Sequence, residues 1–260
     1  MFSHSSLRIR RSTRFNSLFL TLAVSAVSLG AVHSAEAAPV KDSCQVKKNS
    51  SGTIQQAIDS GCTAIRVFPG TYTENLIIPS GNVSITAVSN GKNTVIDGGA
   101  NGSVVRVGSA AQVTLTGLTI QNGNMPIGGG IYNLGSVSLI NTTVENNFSS
   151  YGGAGIFNQF GTVTLSNSLI TNNTAVSVGG GIFNNEGTVT IDNSSVTNNE
   201  AGFQGGGIFN NKGFLSLIDS AVTGNVAGLN GGGISNLQGE YELLGSTVVA
   251  DNSPDDIAGD

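Results

Sequence analysis

Residues 179–204 read GGGIFNNEGTVTIDNSSVTNNEAGFQ, and residue 205 opens the same phrase again with GGGIFNN. Outward from this stretch the phrase recurs as GGGIYN, GGAGIFN and GGGISN. Its isoleucines fall at Ile131, Ile156, Ile182, Ile208 and Ile234, spaced by 25 or 26 residues. A fixed period of this size means stacked units, each unable to bury its apolar face without a neighbour. Glycine, serine, threonine and asparagine are too frequent within a unit for a helix. The apolar residues recur at every second position, which is the period of a strand. Three short strands fit into one unit, over residues 182–184, 188–193 and 195–197.

The same positions repeat from unit to unit. The second strand carries Val137, Val163, Val189, Leu215 and Tyr241, and two residues on Leu139, Leu165, Ile191, Leu217 and Leu243. The third carries Val144, Ile170, Val196, Val222 and Val248. Three strands and three corners per 26 residues describe one rung of a parallel β-helix, with like residues above like at about 4.8 Å. Asparagines mark the corners in three columns. One is Asn133, Asn158, Asn184, Asn210 and Asn236. A second is Asn141, Asn167, Asn193 and Asp219, and a third is Asn147, Asn173, Asn199, Asn225 and Asp251. Asparagine tolerates the left-handed backbone of a sharp corner. Its amide can also donate to one rung and accept from the other, so a stacked column satisfies itself as a ladder. Asn185, beside the first column, has no such column and is expected to face water.

Strand parity makes a further expectation. In each first strand the isoleucine and the asparagine two residues later point inward, so Tyr132, Phe157, Phe183 and Phe209 between them point outward. Four stacked aromatics on an outer face form a candidate binding platform, because rings in a row suit the apolar faces of sugars. The alternative is that Phe148, Tyr151 and Phe203 fold over the row and make it a satellite core.

The N-terminus indicates export. Arg8, Arg10, Arg11 and Arg14 precede an apolar stretch over 18–32, and Ala35-Glu36-Ala37 supplies a small-residue cleavage site. That is the order of a secretory signal over 1–37, and its apolar core is short for a membrane span. Residues 38–63 are expected to form a cap and 64–260 the β-helix. The cap holds Cys44 and Cys62, most simply one disulfide in an exported protein. Between them Thr53-Ile54-Gln55-Gln56 gives a short helix with a capping box, suited to closing the end of a solenoid. Without the signal the chain keeps seven basic and fifteen acidic residues, a net charge of −8, and no histidine. That balance argues against a nucleic-acid partner and against a metal site, and no cofactor is implied.

These features resemble the right-handed parallel β-helix, or pectin-lyase-like, superfamily over residues 53–260, and the right hand is implied by that resemblance. The GGGI phrases resemble the repeats of bacterial polymorphic outer-membrane proteins, although no segment after the signal carries their F-x-x-N. Residues 64–96 resemble the first rungs of pectin methylesterases, with Gly70-Thr71-Tyr72-Thr73-Glu74 matching G-x-Y-x-E and Asp255-Asp256-Ile257-Ala258-Gly259 matching D-x-I-x-G. Their Q-D-T motif is absent, and no arginine follows Asp255. No catalytic set is therefore assigned. Glu186 with Asp192 and Glu240 with Glu242 are the carboxylate pairs open to a hydrolase, and as outer-strand neighbours they read as solvated surface. Thr162-x-Thr164 and Thr188-x-Thr190 span two rungs, too few for an ice-binding array. The expected function is a secreted, non-catalytic β-helix in surface adhesion or glycan binding. Its partner would be a polysaccharide or a cell-surface glycan. A polysaccharide-active lyase, hydrolase or esterase is one alternative, and a structural spacer within a larger surface protein is another.

Overall fold

Ile156 lies opposite Ile182, Val163 opposite Val189 and Ile170 opposite Val196, each pair in parallel register on neighbouring rungs. This pairing extends through the computed structural model, which describes residues 43–48, 52–89 and 93–259. The fold is an all-β parallel β-helix of about seven turns. The expected signal over 1–37 lies outside the described residues. Among the described residues no helix is long and apolar enough to cross a membrane.

The first and second strands of the rungs share a 15-stranded sheet, and the third strands form an 8-stranded one. In the early rungs one strand fills both positions without a break, over Leu76–Ala87 and Val105–Thr116. In the full rungs a corner separates Ile182–Asn185 from Thr188–Asp192. The sequence leads to three strands per rung, and the structure adds a fourth. Asn124–Ile127, Phe148–Gly152, Thr174–Ala175, Glu200–Ala201 and Val226–Ala227 form a separate 5-stranded sheet. Its last three strands are two residues long, each with a buried alanine as its only buried apolar side chain.

The interior is built from the repeated columns. Ile182, Val189, Ile191 and Val196 are fully buried, as are their counterparts Ile208, Leu215, Leu217 and Val222. Each such side chain contributes about 1.5–3 kcal/mol when buried, but only where rungs lie on both sides. At the last rung Tyr241 and Leu243 are about 40% exposed, because no described rung covers them. The third-strand column continues from Val222 to Val249, not to Val248, since the turn through Gly245 adds one residue.

The short helix and the disulfide near the start of the described chain form as the sequence implies. The helix Ile54–Asp59 begins at Thr53 with a reciprocal capping box to Gln56. Ile54 and Ala57 join the main core, and Cys44 and Cys62 are bonded with Cα atoms 6.0 Å apart.

Candidate functional site

Inward amides hold the first corner together. Asn133 Nδ2 donates to Asn158 Oδ1 at 2.7 Å, Asn158 to Asn184 at 2.9 Å, Asn184 to Asn210 at 2.8 Å and Asn210 to Asn236 at 2.7 Å. Each also donates to a carbonyl of its own corner, as Asn184 does to Gly187 at 3.0 Å. The third column forms a second ladder from Asn147 through Asn173, Asn199 and Asn225. It ends on Asn252, 3.0 Å from Asn225, and not on Asp251, which instead takes the left-handed corner at φ 59°. Asn141, Asn167, Asn193 and Asp219 adopt φ of 46–49° as corners require, yet their side chains are exposed and do not stack into a ladder.

Two ladders escape the sequence reading. Directly after the exposed corner residues come Thr142, Ser168, Ser194 and Ser220, all buried. The Ser168 hydroxyl accepts from the Thr142 N–H at 3.1 Å, and the Ser194 hydroxyl from the Ser168 N–H at 2.9 Å. Their signal was a small hydroxyl residue following each corner asparagine. Asn185 is also partnered, contrary to the expectation. It donates to Gln159 at 2.8 Å and accepts from Asn211 at 2.6 Å.

The aromatic row lies outside the main interior, as strand parity requires, and its rings pack against one another in tilted and edge-on pairs. Centroids are 5.4 Å apart for Tyr132–Phe157, 5.1 Å for Phe157–Phe183 and 5.2 Å for Phe183–Phe209. The row is nevertheless covered. Phe157, Phe183 and Phe209 are 4–6% exposed and form a satellite core with Val178 and Ile127, while Tyr132 is half-buried. The glycine phrase brings the cover close. A Cβ on Gly153 would stand 2.9 Å from the Phe157 Cβ, and one on Gly179 2.9 Å from the Phe183 Cβ. These four rings do not offer a continuous face to solvent. Only the first end opens, where the exposed Arg106 guanidinium sits 4.9 Å from the centre of the Tyr132 ring.

What faces solvent instead is the rim of that cover. Tyr151, Val176, Phe203 and Leu229 are 50–63% exposed, on four consecutive rungs. Backbone bonds tie the rim together: Ser177 N–H donates to Tyr151 O at 3.0 Å, Phe203 N–H to Ser177 O at 2.8 Å and Leu229 N–H to Phe203 O at 2.8 Å. Tyr151 still touches the row beneath, 6.4 Å from Phe183, so the two folding-over residues Tyr151 and Phe203 form a ridge and not a lid. The signal lay five residues before each isoleucine, where Tyr151, Phe203 and Leu229 occur.

Two of the carboxylates, Glu74 and Glu242, are engaged structurally. Glu74, the acid of the Gly70-Thr71-Tyr72-Thr73-Glu74 match, accepts the N–H groups of Ile54 at 3.1 Å and Gln55 at 3.0 Å, capping the helix. The Tyr72 hydroxyl donates to Phe68 O at 2.8 Å. Burial, and then the Glu74 carboxylate, push the Tyr72 phenol above its usual range. Glu242 accepts from the Ser216 hydroxyl at 2.8 Å. Among the described residues no three acidic, cysteine or histidine side chains are grouped to hold a metal.

No family model matches the chain, and no curated protein matches it. What stands is the parallel β-helix itself, with a covered aromatic row and an exposed apolar ridge alongside.

Proposed function

We propose that this protein is an exported, non-catalytic β-helix that binds glycans at a surface through the face built by its fourth strands. The observation that carries the reading is the ridge of Tyr151, Phe203 and Leu229, with Ser177 between them in the column and Val176 beside it, the four apolar residues half or more exposed. An ordered apolar stripe on a polar solenoid supports a contact role, and Tyr and Phe suit the apolar faces of sugar rings. The rung spacing of about 4.8 Å lets an extended polymer meet several side chains at once. Each single contact can then be weak.

The test is retention of the exported protein by soluble polysaccharides in native gels and by insoluble cellulose and chitin. Tyr151→Ser combined with Phe203→Ser should abolish retention and leave the melting temperature unchanged. Wild-type protein that is retained by none of these materials would overturn the proposal.

A further inference from the structure

The fourth-strand sheet begins at an unusual junction. The turn after Asp97 runs through Gly99 and Ala100 at φ of 60° and 55° and returns at Gly102. There it meets Asn124 in an antiparallel bridge, with Asn124 N–H donating to Gly102 O at 2.9 Å and Gly102 N–H to Asn124 O at 3.1 Å. Between this turn and the next rung lies a groove of about 240 Å³, lined by Ala100, Asn122, Asn124, Asn146 and Phe148 among others. Pockets for drug-sized ligands start at about 300 Å³, so this one suits a single small ring.

Its walls carry chemistry that the fold does not use. Phe148 is 38% exposed and forms one side. Asn122 is committed, donating to Asp97 Oδ2 at 2.7 Å. The side-chain amides of Asn124 and Asn146 are exposed and have no hydrogen-bond partner among the described residues. Asn146 shares its corner column with Asn172 and Asn198, which are likewise exposed. The corner at Asn146, with φ 53°, requires only a residue tolerant of that conformation, and Gly224 serves at the equivalent place. Corner geometry does not explain Asn124 and Phe148, whose column continues as Thr174, Glu200 and Val226.

Charge narrows the ligand. Burial raises the Asp97 carboxyl, but hydrogen bonds from Gln121, Gly99 and Asn122 outweigh it and hold the group below its usual value. An ionised carboxylate thus stands beside the groove, with no lysine or arginine among the described residues that line it. That disfavours uronate and sulfated sugars.

We propose that the groove between the 98–102 turn and Phe148 is a subsite for one neutral sugar ring, stacked on Phe148 and hydrogen-bonded by the amides of Asn124 and Asn146. It rests on the glycan-binding reading and sets the ligand class. Cellotriose, maltotriose, mannotriose and trigalacturonate, titrated into the exported protein by saturation-transfer NMR and calorimetry, test it. At least one neutral trisaccharide should bind and trigalacturonate should not. Phe148→Ala should weaken that binding by about tenfold or more, as lost stacking implies. Asn146→Gly with Asn124→Ser should do the same at unchanged melting temperature, because glycine keeps the corner conformation. The subsite is overturned if no neutral trisaccharide binds, if trigalacturonate binds equally, or if both groove variants bind like wild type. Polymer retention that is lost in the Tyr151/Phe203 variant but untouched in the groove variants would overturn the subsite and leave the surface reading standing. Absence of all glycan binding overturns both.

Discussion

At the first corner of the full rungs the left-handed residue is not the glycine. Phe160, Glu186, Lys212 and Gln238 take φ of 54–57°, and the glycines that follow them do not take a positive φ. Gly187 is needed for a different reason. A Cβ there would stand 2.7 Å from Gly161 O and also collide with the Asn158 amide. Gly187→Ala should therefore cost about 1–3 kcal/mol by overpacking. Glu186→Gly should leave stability within about 1 kcal/mol of wild type, since it relieves a left-handed residue while loosening the unfolded chain. Urea midpoints that rank the two the other way would show that conformation, and not close approach, sets the glycine. The adjacent pair Asn184 and Asn185 makes a parallel comparison. Asn184→Leu leaves Asn158 Nδ2 and Asn210 Oδ1 without their ladder partner inside the wall, at about 1–3 kcal/mol for each buried group. Asn185→Leu breaks two half-buried bonds and should cost about 0.5–1.5 kcal/mol. Equal midpoints would remove the ladder as a source of stability.

At the scale of elements, the turn over 98–102 is fastened to the rung above it through Asp97, whose carboxylate accepts from Gly99 N–H, Gln121 and Asn122 at 2.7–2.8 Å. A carboxyl held below its usual value in the folded state stabilises the fold above the unfolded value of about 3.9. That contribution is lost as pH falls through the lower folded value. Acid titration of the melting temperature should show wild type declining below about pH 4. Asp97→Asn should start lower at neutral pH and decline less steeply. Identical acid limbs would mean that the Asp97 bonds contribute nothing. This fastening, like the fourth strand itself, was not legible in the sequence. The first three strands were, because apolar residues alternate in register at Ile182, Val189, Ile191 and Val196. Glu200–Ala201 offers one buried alanine and no alternation, so nothing local marks it as a strand. The aromatic row was legible as outward, and its cover only as one of two alternatives, because the cover depends on how close glycine lets the preceding backbone approach. The one-residue slips to Val249 and Asn252 follow from the turn at Gly245, which departs from the 26-residue count that carried the reading.

At the scale of the whole molecule, stability should be close to a sum of rung and interface contributions. The internal rungs are then interchangeable provided that every column stays in register. Excision of residues 180–205 joins Gly179 to Gly206 and restores the phrase GGGIFNN at the seam. It sets Asn158 beside Asn210, Val163 beside Leu215, Leu165 beside Leu217 and Phe157 beside Phe209, so both the ladder and the covered row continue. The shortened protein should fold, with a parallel-sheet circular dichroism spectrum and a single cooperative transition at a lower melting temperature. Excision of 180–192 removes half a rung and joins Gly179 to Asn193. It deletes a first and a second strand while keeping the third, so Ser195–Thr197 can no longer lie between Leu169–Thr171 and Ala221–Thr223 with an intact wall beside it. That variant should be recovered only as aggregate, since unpaired strand edges in the wall are templates for association. If the 26-residue excision also failed to give folded protein, the rungs would not be independent units, and the stability of this β-helix would have to arise from a long-range feature such as the disulfide-bonded cap.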